Sequence, residues 1–102
     1  MFKNMTPLRY PGGKQRLSPF VCEIMEENNL VGGDYVEPYA GGAGVAINLL
    51  LSNVASRVHL NDACPAVYAF WDSILNDTEK FCQRISSASM TIEEWRRKKF
   101  LI

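Results

Sequence analysis

The stretch from Tyr35 to Asp62 constrains this chain more than any other part of it. Tyr35, Val36 and Glu37 form a short strand-like run closed by Pro38, and Gly41-Gly42-Ala43-Gly44 then reads as a loop whose backbone must lie close to something without Cβ atoms in the way. Val45 to Leu51 is apolar enough for a buried helix. Arg57 to Asn61 alternates as a second strand, and a helix between two strands makes them parallel, right-handed partners in a βαβ unit. Asp62 follows at the carboxyl end of that strand. In open α/β sheets the ligand crevice lies outside the carboxyl ends of the strands, where the glycine loop and Asp62 both fall.

The flanking signals are helical. Met1 to Gly13, with two prolines and a Gly pair, reads as an extended arm ending in a turn. Ser18-Pro19 reads as an N-cap and first helical residue of a helix from about Arg16 to Asn29, with Leu17, Phe20 and Ile24 on one face and Gly32-Gly33 as its stop. From Pro65 to Asn76, Val67, Phe70, Trp71, Ile74 and Leu75 recur at helical spacing, and Phe81, Cys82 and Ile85 continue in a fourth helix, so these side chains are expected in a core. After a turn at Ser86 to Ser89, Thr91 with Glu94 forms a capping signature for a last helix running through Trp95 and Phe100 and still helical at Ile102. No repeat, linker or low-complexity tract interrupts the chain, which reads as one continuous unit. Two parallel strands leave both sheet edges open, so the expectation is the front of a larger α/β domain, either a fragment or a sheet completed by another molecule.

Composition removes several classes of function. At 102 residues the chain has room for one core and not for a two-domain enzyme. Eleven basic residues against eleven acidic ones give no global field toward nucleic acid or an anionic membrane. Cys22, Cys64 and Cys82 are odd in number and widely spaced, which points to neither a disulfide framework nor zinc and suits a reducing cytoplasm. No signal core precedes Pro7 and no apolar run reaches the ~20 residues that span a bilayer, so a soluble protein without a membrane partner is expected.

The glycine loop meets only the first half of a dinucleotide fingerprint, because Gly42 and Gly44 are followed by Ile47, and by itself it is equally a plain turn. Asp62 shifts the balance. It stands where nucleoside-binding α/β folds accept ribose hydroxyls, a role preferred over capping the helix at Pro65 because loop and acid occur together in this order. Tyr10-Pro11-Gly12-Gly13-Lys14 is no Walker loop, since Gln15 follows the lysine. His59 in the second strand is packed or edge-exposed, with no companion for a triad or metal site; Cys64 is a small apolar residue; and Arg96 to Lys99 form a solvated face before they form a phosphate contact.

Three separated motifs nevertheless occur in one order: Arg9 to Leu17 (RYPGGKQRL), Tyr35 to Gly44 (YVEPYAGGAG) and Leu60 to Tyr68 (LNDACPAVY). Together they resemble the N-terminal part of the Dam-type, D12-class DNA adenine N6-methyltransferases. The resemblance implies an incomplete Rossmann-like, S-adenosylmethionine-dependent methyltransferase fold, a βαβ unit with flanking helices, in which residues 1–102 are the cofactor-binding half. It implies that Tyr10 and Lys14 line the cofactor site, that Glu37, Pro38, Tyr39, Ala40, Gly41, Gly42, Ala43 and Gly44 cradle the methionine part, and that Asp62 holds the ribose. Tyr10 stands where the family more often has Trp, keeping a π face. The implied substrate is double-stranded DNA, in the chemistry of restriction-modification.

The family's target-recognition region and its catalytic D-P-P-Y signature are absent, and no Asp-Pro-Pro or Asn-Pro-Pro occurs in the sequence. No catalytic residue is therefore assigned, and the chain alone is expected not to methylate DNA. The rival reading is a non-catalytic interaction or remnant module that forms a homo-oligomer through open sheet edges.

Overall fold

A computed structural model describes residues 5–10 and 12–99. The start of the expected arm, residue 11 of its turn and the expected end of the last helix at 100–102 lie outside the described residues. The chain divides into two compact units, Met1–Asp62 and Ala63–Ile102.

The first unit holds a one-turn 3-10 helix, Gln15–Leu17, then α1 (Ser18–Glu27), β1 (Asp34–Glu37), α2 (Gly44–Leu51) and β2 (Arg57–Leu60). β1 and β2 pair in parallel, Asp34 opposite Arg57 and Glu37 opposite Leu60. This mixed helix and strand arrangement is compatible with the expected α/β class. Backbone bonds prolong the pairing beyond both strands, from Ser56 N to Gly33 O (3.0 Å) at one end and from Ala40 N to Asn61 O (2.8 Å) at the other. The second of these ties the start of the glycine loop to the end of β2.

α2 is apolar on nearly all sides, as a helix covered on several sides must be, and packs on both strands, on α1 and on the 3-10 helix. Val45 and Leu49 of α2 join Met25 of α1 and Ala55 in a buried cluster, with Val21, Cys22, Tyr35, Val54 and Val58 packed against it. One face of the sheet, Tyr35, Glu37, Val58 and Leu60, is turned inward, whereas Val36 on the other face is 61% exposed.

Two expectations for α1 need correction. Its packed face carries Val21, Cys22 and Met25; Leu17, Phe20 and Ile24 are exposed. Both stripes have helical periodicity, which marks an apolar face without saying which one a neighbour covers. Ser18 is not a side-chain N-cap either. Leu17 holds the cap position, because the 3-10 turn delivers the chain already helical at Ser18, and the serine hydroxyl donates back to Gln15 O at 2.7 Å.

The second unit consists of α3 (Pro65–Asn76), α4 (Thr78–Ser87) and α5 (Ile92–Lys98). Phe70 stacks edge-on against Trp71 and Phe81, with ring centroids 5.2 and 5.7 Å apart. Val67 and Trp71 are buried as expected, but Leu75, Cys82 and Ile85 are exposed, so the predicted apolar face is only partly core. Thr91 caps α5, its Oγ1 accepting from Glu94 N at 3.1 Å. The Glu94 carboxylate turns the other way, accepting from Arg97 Nη2 at 2.6 Å and lying 3.5 Å from Lys98 Nζ. With Lys99 Nζ 4.9 Å above the Trp95 ring, much of the basic run is engaged along its own exposed helix. Among the described residues, no helix is long and apolar enough to cross a membrane.

Candidate functional site

A cleft of about 520 Å³ opens in the first unit, between an arm of residues 6–10 and 12–16 and the loop that joins β1 to α2. Tyr10 and Lys14 line it from the arm, and Glu37, Tyr39, Ala40, Gly41, Gly42, Ala43 and Gly44 line it from the strand end and loop. Nine of the eleven residues singled out in the sequence thus line one cavity. The remaining two stand just outside. Pro38 lines a shallower groove of about 170 Å³ beside β1, which also touches Lys14, Glu37 and Tyr39. Asp62 is half-buried, and its Oδ2 accepts from the Gly41 backbone N–H at 2.9 Å.

Through that bond Asp62 fixes the first glycine of the loop from the end of the neighbouring strand. Cys64 holds the N-cap position of α3; it is exposed, not packed as a small apolar residue, and gives no side-chain cap bond. Asn61 assists by donating from Nδ2 to Pro38 O at 3.2 Å. Two consecutive polar residues at the end of β2 therefore hold the chain that leaves β1.

The loop glycines are used for close approach. A Cβ on Gly41 would lie 3.0 Å from Tyr10 Cδ1, at a φ of +50° that L residues rarely adopt. At Gly44 a Cβ would meet Gln15 Cβ at 2.7 Å, so the first residue of α2 has to lack a side chain for the 3-10 helix to seat against it. Ala43 takes a left-handed φ of +52° with its methyl buried, a strained conformation of the kind that clusters at functional loops. Tyr10 and Gln15 thus pack directly on the loop and line the cleft together with it.

Glu37 is the most unusual side chain of the site. It is only 8% exposed, and its Oε2 has no hydrogen-bond partner among the described residues. Burial pushes its carboxyl above the ordinary glutamate value, while the Ala46 backbone, the Lys14 ammonium and the Tyr35 hydroxyl pull the other way. Tyr35 is pushed up to about 12 by burial and by the neighbouring Glu37. A buried, under-satisfied acid beside an exposed lysine, with aromatic rings at the rim, has the chemistry to grip a small molecule carrying both charges.

The sequence reading missed Asn48, which is 2% exposed inside α2; its Nδ2 donates to Ser18 Oγ at 2.9 Å. A lone amide in an otherwise apolar helix was the available signal. His59, on the exposed face of β2, has its Nε2 2.8 Å from Asp34 Oδ2 across the ladder, at the end of β1 away from the loop. It takes no part in the cleft.

No curated protein and no solved structure shows significant similarity to the chain. A protein-family model does: that of the D12 class N6 adenine-specific DNA methyltransferases matches residues 10–102, from the first aromatic of the cleft through both units. With that match spanning most of its length, the chain belongs to the D12 class N6 adenine-specific DNA methyltransferase family.

Proposed function

We propose that this chain is the cofactor-binding part of a site-specific DNA adenine N6-methyltransferase that takes S-adenosylmethionine into the cleft of a Rossmann-like domain. The observation carrying this reading is that the arm bearing Tyr10 and Lys14 and the loop from Tyr39 to Gly44 wall one cavity with Glu37. Its volume of about 520 Å³ falls within the range of roughly 300–1,000 Å³ typical of small-molecule sites.

The donor set fits the molecule. Glu37, buried with an orphaned oxygen, suits the ammonium of the methionine part, and Lys14 suits its carboxylate. The Tyr10 ring offers a π face to a sulfonium or a purine, and Asp62, already fixing Gly41, stands at the rim where ribose hydroxyls would donate. When bound, the cofactor supplies an electrophilic methyl group. The residues of this chain bind it, orient it and keep water from the loop backbone.

Duplex DNA is the substrate that family membership implies, in a cytoplasmic setting and, by this reading, in restriction-modification chemistry. Activation and stacking of the target adenine belong to the D-P-P-Y segment, which residues 1–102 do not contain. Titration calorimetry with S-adenosylmethionine on wild type, Lys14→Ala and Asp62→Ala tests the site: binding by wild type and loss of about tenfold or more in either variant is expected, and equal affinities would remove both residues from it. The rival reading draws on the exposed Val36 face and open edge of β1. Light scattering that showed a tight obligate dimer, together with no cofactor binding, would favour it.

A further inference from the structure

We infer that Asn48 and Ser18 form a buried latch that holds the Lys14–Gln15 turn against the first turn of α2, and so are positioning residues for the cleft. The inference rests on the proposed function for its consequence in binding, and on geometry alone for the latch itself.

The bonds run in one direction. Ser18 Oγ donates to Gln15 O at 2.7 Å, and a hydroxyl has one proton to give, so toward Asn48 it acts as acceptor. The Asn48 amide must then present Nδ2, at 2.9 Å, which fixes its orientation and leaves Oδ1 facing the interior with no partner among the described residues. Ser18 is wholly buried and Asn48 nearly so, which shields both bonds from competition by solvent. An apolar side chain at position 48 would avoid an orphaned buried acceptor altogether. The asparagine therefore works against packing economy, as side chains at functional sites often do.

What it holds is the arm of the cleft. Asn48 lies one helical turn after Gly44 on the same side of α2, and Gly44 is where Gln15 seats with its Cβ 2.7 Å from the place a side chain would occupy. Gln15 O also accepts from the Ser18 backbone N–H, so one carbonyl gathers both ends of the 3-10 turn that begins directly after Lys14. The latch thus connects the two walls of the cleft, the arm and the loop helix, through buried atoms that line neither wall themselves.

Hydrogen exchange of the 102-residue chain, paired with titration of S-adenosylhomocysteine, tests this on Ser18→Ala and Asn48→Ala. The turn amides Gly13 and Leu17, bonded to Tyr10 O and Lys14 O, are expected to lose roughly tenfold protection in Ser18→Ala and less in Asn48→Ala, which keeps the bond to Gln15. The ladder amides Ala40, Ser56 and Asn61 are expected to keep wild-type rates, and ligand affinity to fall by a factor similar to that at the turn. Uniform loosening of turn and ladder, or no loosening in either variant, would overturn the latch. A loosened turn with unchanged affinity would overturn its positioning role. Failure of wild type to bind any ligand would instead sink the proposed function, with exchange still deciding the latch.

Discussion

Replacing Gly44 by alanine separates the packing of the cleft from the stability of the fold. The backbone there is not left-handed, so alanine brings no conformational strain, and its better helix propensity returns up to about 1 kcal/mol. Against this, the new Cβ stands 2.7 Å from Gln15 Cβ and 3.2 Å from Gln15 Cα. Carbon atoms settle at about 3.5–4.0 Å, so the turn carrying Lys14 must retreat by roughly 1 Å, an overpacking cost of about 1–3 kcal/mol. The net destabilisation is about 0–3 kcal/mol. The cofactor loses more, because a lysine moved by that distance forfeits a charge-assisted bond of about 1.5–3 kcal/mol, tenfold or more in Kd. Gly32→Ala is the control: its φ of +89° makes alanine strained by about 1–2 kcal/mol with nothing within 4 Å to displace, and it lies at the far end of β1. Urea denaturation and calorimetry of both variants should show comparable losses of stability with affinity lost only in Gly44→Ala. Parallel loss of affinity in both, or none in Gly44→Ala, would mean that the seating of Gln15 on Gly44 does not place Lys14 for the cofactor.

Glu37→Gln should raise stability at neutral pH by up to about 1 kcal/mol while weakening cofactor binding, since it removes a buried charge that only a bound cation would repay. The raised carboxyl value means that the folded state holds the proton more tightly than the unfolded state. Its stabilising contribution is therefore largest below the ordinary value of 4.5 and is lost as pH rises through that value toward the folded one; the difference in stability between wild type and Glu37→Gln, followed by urea titration across this range, should widen with pH. Thr91→Ala should cost α5 about 1 kcal/mol through loss of its cap, seen as faster amide exchange at Glu94 and Trp95. Residues 1–102 should transfer no labelled methyl group to an adenine-containing duplex, and transfer by them would contradict the assignment of catalysis to a separate segment.

Much of this architecture was legible because punctuation residues set it locally. Pro38 and the glycines delimit β1 and the loop, Pro65 opens α3 where expected, and the Thr91–Glu94 spacing gives a real cap. The candidate site was legible as a set of residues because loop and strand ends converge by topology in a βαβ unit. What escaped was decided by partners distant in sequence. Ser18 looked like a cap because Ser-Pro has the local signature, but its bonds are set by Gln15 and by Asn48 thirty positions away. Leu17, Phe20 and Ile24 have the periodicity of a packed stripe, and only the placement of α2 shows that the opposite stripe is the covered one.

Amide chemical-shift mapping by heteronuclear NMR, with S-adenosylhomocysteine added to the 102-residue chain, reads residue by residue which surface the ligand occupies. Saturable shifts are expected at Tyr10, Lys14 and Gly41 through Gly44, with α5 unaffected. Shifts confined to the second unit, or none at millimolar ligand, would contradict a cofactor cleft between the arm and the glycine loop.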